Sequence, residues 1–367
     1  MKKLFALILF ILSATMLFSC GKSEYEPVPS TEEEARVVMT LSIGGKKYDV
    51  KYELYKALFI GNKDKVDGGD STVWQGDNSA QYVERINEII IDRAADIYSV
   101  IHTADTLGID LYSNEMDDRI QEYIDIAVNG GSGVTGQGSY ESYLEHLRSQ
   151  GINYAVSELL LRYSYGLEKI NEYYIGTESI LGEYTGEFEF DDDDVLAFYN
   201  SDDCARMLRA YFQNGVRTEE QILSFRNKLA EKNFDIDKAL YIIQNTMATS
   251  SELVGTDGEV TGVVLGRYSL DEIYYSEYTE AAFSLENSGV SGVIEIKGVG
   301  DSYTDGYYVL VRIEKDSAYF TSHKAEITDA YIANEIGKIL NVSKEGLESS
   351  ASFASGYSSI NHAEISK

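Results

Sequence analysis

Apolar residues recur with two different spacings in the first half of this chain, and the change of spacing predicts its elements. Residues 37–43 alternate over the length of one strand, a glycine pair follows, and the alternation resumes at 48–50, which predicts a β-hairpin. Beyond it, apolar residues recur every three or four positions, as in amphipathic helices. We expect one helix carrying Tyr52, Tyr55 and Phe59, and further helices over 79–101, 110–128, 140–148 and 155–175.

Strands and helices mix in the second half of the chain. After a glycine-punctuated boundary at 176–194, the pattern predicts a strand at 204–212, helices at 219–232 and 236–247, and a strand at 260–265. A short helix ending at Phe283, two closing strands and one more helix over 317–342 complete the order. The four aspartates at 191–194 favour a helix N-terminus over a calcium site, because they match the helix dipole. The chain is therefore predicted to be α+β, with a helical domain and a domain containing a small, mostly antiparallel sheet.

The first twenty residues have the layout of an export signal. A charged start, Met1-Lys2-Lys3, precedes a mostly apolar run at 4–18 that is short for a membrane span. The sequence Leu-Phe-Ser-Cys-Gly that ends it is similar to a bacterial lipoprotein box, which implies lipidation of Cys20. The alternative is an ordinary cleaved signal with an incidental cysteine. The lipoprotein interpretation places the protein on the extracytoplasmic face of the cell membrane, with residues 21–36 as a tether.

The net charge of the chain limits the classes of partner that it is expected to bind. The formal net charge is −30, from 61 acidic and 31 basic residues. Such a surface repels phosphate backbones, so nucleic acid is not an expected partner. Cationic or unfolded polypeptides suit it better, although an acidic surface can also serve solubility alone. We predict no cofactor and no metal site, because the four histidines show no metal-binding spacing.

Short motifs occur in one order in the second half: Thr218-Glu219-Glu220, Phe234, Gly262, Ala281-Ala282-Phe283-Ser284-Leu285, Gly289-Val290-Ser291-Gly292-Val293 and Gly306-Tyr307-Tyr308-Val309-Leu310. This set resembles a parvulin domain, the peptidylprolyl isomerase module of PrsA- and SurA-type foldases. The glycine hairpin, the segment with the single tryptophan and the helices of the first half are similar to the N-terminal chaperone region of the same proteins. In that family a C-terminal helix packs back on the N-terminal helices.

The resemblance implies a site on the sheet, with two facing histidines, an Asp or Cys, and a pocket of Met or Leu and Phe around the prolyl ring. This chain has no histidine between residues 195 and 316. The family's catalytic positions are occupied by Arg209, Ser251 and Tyr308. The pocket positions fall at Tyr274, Tyr278 and Phe283, which with Tyr308 are the expected substrate-binding residues. The chain has 29 tyrosines, so these could equally be ordinary core residues.

These observations favour a lipid-anchored, extracytoplasmic foldase or chaperone that assists newly exported, unfolded polypeptides. The missing histidines leave two alternatives open: a prolyl isomerase that works without them, or a non-catalytic holdase or scaffold that uses the parvulin fold to bind peptides. A solute-binding lipoprotein is a weaker alternative, because the repeated βα units of such proteins are absent from the pattern. The predicted domains are a signal peptide (1–20), tether (21–36), helical chaperone domain (37–190), parvulin-like domain (195–316), C-terminal helix packing on the chaperone domain (317–342) and disordered tail (343–367).

Overall fold

The computed structural model divides into two compact units, each formed by its own part of the chain. Met1–Tyr173 with Leu340–Lys367 form a helical unit, and Tyr174–Ile339 form an α/β unit. The structure describes residues 25–131, 135–176, 186–213, 215, 217–231, 238–239, 241–242, 262–269, 276–296 and 306–366.

Up to Arg312, the described strands and longer helices follow the order that the sequence pattern predicts. The strands are β1 (Val37–Ile43), β2 (Lys46–Lys51), β3 (Cys204–Gln213), β4 (Val263–Gly266), β5 (Ile294–Ile296), β6 (Gly306–Arg312) and β7 (Ser352–Phe353). The helices are α1 (Tyr52–Asn62), α2 (Asp64–Asp67), α3 (Ser79–Thr106), α4 (Asn114–Asn129), α5 (Tyr140–Ser149), α6 (Tyr154–Ile175), α7 (Asp192–Asn200), α8 (Glu219–Leu229), α9 (Ser276–Ser284), α10 (Ser317–Ser322), α11 (Lys324–Ser349) and α12 (His362–Ile365), with short 3-10 helices at Ser71–Trp74 and Ser355–Ser359. The α+β class is confirmed.

The helical unit begins with the predicted hairpin. Strands β1 and β2 pair antiparallel, and Gly44 and Gly45 join them with φ angles of 57° and 81°. Those positive angles are the reason that glycine is needed twice, because residues with a Cβ rarely adopt them. Strand β7 pairs with the other edge of β1, which gives a three-stranded sheet in the order β2-β1-β7. The hairpin prediction is confirmed.

The helices of this unit bury the apolar stripes that their sequences predict. Ile86, Ile90 and Ala94 of α3 are fully buried, and Met116, Ile120 and Ile124 repeat the spacing on α4. Ser113 caps α4 by accepting a hydrogen bond from the main-chain nitrogen of Met116. A methyl group at Gly166 of α6 would lie 2.8 Å from Val100 of α3, so glycine allows these two helices to approach closely.

The α/β unit is built on a four-stranded antiparallel sheet in the order β4-β3-β6-β5. Strands β3 and β6 form its centre, with Arg209 opposite Leu310 and Tyr211 opposite Tyr308. Since side chains alternate along a strand, odd-numbered residues of β3 lie on one face and even-numbered residues on the other. The first face carries Ala205, Met207 and Tyr211 against α9, and the second carries Leu208, Ala210 and Phe212 against α8.

The second face has another apolar cluster near the start of β3. Val195, Phe198 and Tyr199 of α7 pack there with Cys204, and Ile327 of α11 closes the cluster. Asp191 caps α7 and forms a reciprocal capping box with Asp194. The run of four aspartates is therefore a helix N-terminus, as predicted.

The prediction of a disordered tail at 343–367 is wrong. Helix α11 continues to Ser349, β7 pairs with β1, and the Ala354 nitrogen donates to the Val38 carbonyl at 2.9 Å. His362 hydrogen-bonds to the hydroxyl of Tyr55 at 2.9 Å. The serine-rich composition of the tail suggests disorder, but partners about three hundred residues earlier in the chain hold it in place.

Two further boundaries differ from prediction. The predicted single helix at 317–342 is interrupted at His323, and residues before Leu340 pack within the α/β unit, where Asn334 accepts a hydrogen bond from the Tyr268 nitrogen at 3.0 Å. The described part of the predicted tether, from Tyr25 onward, is bound to the helical unit. Tyr25 donates from its main-chain nitrogen to Gln121 at 2.7 Å and from its hydroxyl to Asp125 at 3.0 Å. The helix predicted at 236–247 lies largely outside the described residues.

Candidate functional site

Four of the predicted site residues belong to one face of the α/β sheet. Arg209 comes from β3 and Tyr308 from β6, while Tyr278 and Phe283 come from α9, which packs on that face. These residues are up to about a hundred positions apart in sequence, and antiparallel pairing of β3 with β6 brings them together. Ser251, Tyr274 and Cys20 lie outside the described residues.

An aromatic cluster forms the centre of this face. The ring of Tyr308 lies 5.0 Å from that of Tyr211 and 5.6 Å from that of Tyr278, the second pair at 88° in an edge-to-face contact. Tyr278 is 1% exposed and Tyr308 is 4% exposed. Both rings therefore belong to the core of the unit, whereas Tyr211 and Arg209 are half-buried beside them.

Phe283 lies at the end of α9, next to two arginines. The guanidinium of Arg267 is 4.5 Å from the centre of its ring, and that of Arg312 is 5.8 Å away. Arg312 donates hydrogen bonds to the carbonyls of Ala282 and Cys204, at 3.2 and 3.1 Å. Burial lowers the pKa of Arg312, but a guanidinium stays charged in proteins. The other guanidinium, that of Arg267, is paired with Asp203 at 3.3 Å.

Three contributors to this face are missing from the sequence prediction: Tyr211, Arg267 and Arg312. The signal for Tyr211 is present, because it stands two residues after Arg209 on a predicted strand and must share its face. The two arginines gave no such signal. Their contact with Phe283 depends on where α9 packs, which spacing along the chain does not specify.

The chemistry available on this face is hydrogen bonding rather than proton transfer near neutral pH. The polar groups named on it are the guanidinium groups of Arg209, Arg267 and Arg312 and the phenol hydroxyls of its tyrosines, all of which donate hydrogen bonds. His323 belongs to the opposite side of the sheet, where its ring stacks on Tyr319 at 3.9 Å. Cys204 is also on that side, and burial raises its pKa to about 12, so its thiolate is not accessible near neutral pH.

Within the described ranges, no cluster of three or more metal-binding side chains occurs. None of the helices in those ranges is both long enough and apolar enough to span a membrane.

Comparison with known proteins gives distant structural likenesses only. No family model and no curated protein matches the chain. The crystal structure of foldase protein PrsA from Streptococcus pneumoniae is 15% identical over 83% of this chain and 92% of that one, with a TM-score of 0.30. PrsA from Bacillus subtilis is 13% identical over 86% of this chain and 92% of that one. Foldase protein PrsA from Lactococcus lactis is 11% identical over 90% of this chain and 100% of that one. The TM-score is 0.24 for both. Values this low do not establish a common fold.

Proposed function

We propose that this protein is an extracytoplasmic foldase or chaperone of the PrsA/SurA type, which binds unfolded, newly exported polypeptides. The observation that carries the proposal is the convergence of Arg209, Tyr308, Tyr278 and Phe283 on one face of the sheet. The parvulin resemblance implies the same four positions from the sequence alone. The order of strands and helices in the α/β unit supports the same assignment.

The face is suited to holding an extended peptide. Arg209 and the hydroxyl of Tyr211, both half-buried, can donate hydrogen bonds to peptide carbonyls, and the half-buried rings of Tyr211 and Phe283 offer apolar surface to a prolyl ring. Isomerisation requires the site to lower a barrier of about 18–20 kcal/mol by weakening the amide's partial double bond. We propose that the α/β unit binds peptides in this way and that any catalysis depends on these donors instead of histidine.

The first experiment measures prolyl isomerisation of short Xaa-Pro peptides by the full chain, purified in a mild detergent. Tyr308→Phe removes the hydroxyl and keeps the packing. Tyr307→Phe makes the same change on the opposite face and is the matched control. A rate above the spontaneous one that falls in Tyr308→Phe or Arg209→Ala, but not in Tyr307→Phe, supports an isomerase. Because no histidine lies between residues 195 and 316, that rate should be flat between about pH 6 and about pH 8.

The second experiment measures aggregation of an unfolded client, such as reduced lysozyme, in the presence of the chain. Suppressed aggregation without isomerisation favours the alternative, a non-catalytic holdase that uses the sheet face as a peptide-binding module. That alternative is supported by the absence of histidine from 195–316. Failure of both assays would overturn the proposal.

Membrane attachment through Cys20 is proposed on the lipoprotein-like sequence alone. Two or more acyl chains on one cysteine give stable anchoring. Expression of the chain and of Cys20→Ala in a bacterium fed radiolabelled palmitate tests it. Label and membrane association should be present in the parent and absent in the variant.

A further inference from the structure

The helical unit contains a cavity of about 420 Å³ that the proposed peptide-binding face does not include. It opens between β2 and the turn that joins α3 to α4. Its volume falls in the range of about 300–1,000 Å³ that small-molecule sites occupy, which is also enough for one long side chain. Three tyrosines line it: Tyr48 from β2, Tyr98 from α3 and Tyr112 from the turn.

Two of these tyrosines form a fixed aromatic wall. The rings of Tyr48 and Tyr98 lie 5.2 Å apart. The Tyr98 hydroxyl donates to the main-chain carbonyl of Asp49 at 3.0 Å, and the Tyr48 hydroxyl hydrogen-bonds to His102 Nδ1 at 2.9 Å. Because each hydroxyl has a partner, the rings are held in place without a ligand. Ile101 and Leu111, both buried, add apolar surface to the cavity.

The third tyrosine, Tyr112, is 64% exposed and yet is supported from within the unit. The guanidinium of Arg162 lies 4.5 Å from the centre of its ring. Arg162 is itself buried and donates hydrogen bonds to Asp117, Glu158 and the carbonyl of Leu111. The exposed ring is thus anchored by a buried, charged group, and it already takes part in one guanidinium–aromatic contact.

The charges around the cavity favour a cation. Asp105 and Asp110 contribute two carboxylates to its lining and Lys46, which is paired with Asp105, contributes one ammonium group. The local excess is negative, in agreement with the net charge of −30 for the whole chain. Asp110 is held in orientation because it accepts a hydrogen bond from the Tyr112 nitrogen at 2.9 Å.

We propose that this cavity binds an arginine side chain of an unfolded polypeptide. A planar guanidinium stacks on tyrosine rings and pairs with a carboxylate, while the arginine stem covers the apolar residues beneath. An ammonium group is a more strongly hydrated point charge and does not stack in this way. The inference rests on the proposed function, since it names the side chain by which a client would be recognised in the helical unit.

The test compares two fluorescent peptides that are identical except for one residue. One nine-residue peptide of Gly, Ser and Leu carries a central arginine, and the other carries citrulline, which has nearly the same shape and no charge. In an anisotropy titration, the full chain should bind the arginine peptide at least about threefold more tightly than the citrulline peptide. That ratio corresponds to the free energy of one cation–aromatic contact. Tyr112→Ala and Asp110→Asn should each reduce that preference, whereas Asp77→Asn, an exposed charge elsewhere on the unit, should leave it unchanged.

Asp110→Asn keeps the hydrogen-bond acceptor for the Tyr112 nitrogen, so it tests the charge even if Tyr112→Ala does not fold. Equal binding of the two peptides, or an unchanged preference in Asp110→Asn, overturns the inference. Suppressed client aggregation together with equal binding refutes the cavity assignment and leaves the proposed function standing. Preference for arginine without any effect on client aggregation supports the cavity and counts against the proposed function.

Discussion

Replacement of Lys344 by methionine should destabilise the helical unit more than loss of a surface charge does. The Lys344 Nζ lies 2.6 Å from Asp92 Oδ1, 2.9 Å from Asp96 Oδ1 and 3.7 Å from Glu348 Oε1. It joins the end of α11 to α3 through the two aspartates. The side chain of Lys344 is 22% exposed and that of Asp96 is 26% exposed, so solvent screens this group only in part.

The expected loss is about 2–3 kcal/mol of unfolding free energy. Removal of one partner from a fully buried pair costs about 3–5 kcal/mol, because the remaining charge is left without compensation. An exposed pair contributes about 0–1 kcal/mol. This cluster falls between those limits, because Asp92 and Asp96 are partly exposed and Arg93 stays 3.1 Å from Asp96 in the variant. Lys46→Met removes a lysine from an exposed pair with Asp105, about half exposed on each side, and should cost under about 1 kcal/mol.

The measurement follows urea unfolding by the fluorescence of Trp74. This is the only tryptophan of the chain; it is buried in the helical unit, and its Nε1 donates to Asp67 at 2.7 Å. Its emission therefore reports on that unit alone. A loss in Lys344→Met no larger than that in Lys46→Met would refute the reasoning about burial.

The same variant should depend on pH in a defined direction. Burial raises the pKa of Asp96 above its ordinary value of 3.8, although Lys344 and Arg93 favour the ionised form. Without Lys344 the carboxylates repel each other when ionised, and a proton on Asp96 relieves that repulsion. The difference in unfolding free energy between the parent and Lys344→Met should thus be largest near neutral pH. It should shrink as the pH falls towards the raised pKa of Asp96. A deficit that grows on acidification would contradict this account.

Three further predictions address the pH dependence, the aromatic core and a helix cap. Burial lowers the pKa of His362 below 6.5, so the unfolded state takes up the proton first and stability falls as the pH drops below 6.5. Urea unfolding followed by Trp74 fluorescence should therefore show a loss of unfolding free energy between about pH 7.5 and about pH 5.5. That loss should be smaller in His362→Asn. Tyr308→Ala should cost the α/β unit about 3–4 kcal/mol in hydrogen-exchange protection, whereas Leu223→Ala, 51% exposed on α8, should be nearly neutral. Thr218→Ala should cost about 1 kcal/mol by the same measurement, because Thr218 caps α8.

The elements that the sequence predicts correctly are those whose signal is local. The alternation of apolar residues and the Gly44-Gly45 pair are sufficient to predict the hairpin. Both the strand period and the turn geometry depend on residues that are adjacent in sequence. The stripe of Ile86, Ile90 and Ala94 is sufficient for α3 in the same way. Strand β3 follows from a mostly apolar run over residues 204–212, which lies between polar segments.

The elements that the sequence misses depend on distant partners. Ser352 and Phe353 form a strand because β1 presents an open edge, with Thr40 and Met39 as their partners. Nothing within the serine-rich tail itself indicates that edge. Tyr25 is ordered for a similar reason, because its partners lie on α4 about a hundred residues later. Local composition predicts the tendency to be ordered and cannot supply the contact that decides it.

The candidate site shows the same limit in its energetics. A resemblance can align Tyr278 and Tyr308 with a family's pocket, but their exposures of 1% and 4% follow from the packing of α9 on the sheet. A fully buried ring stabilises the unit and cannot contact a peptide without local rearrangement. Peptide contact on this face must therefore begin with its half-buried members, Arg209, Tyr211 and Phe283. If Arg209→Ala weakens peptide binding while Tyr308→Phe does not, the buried tyrosines support the site and the half-buried side chains form it.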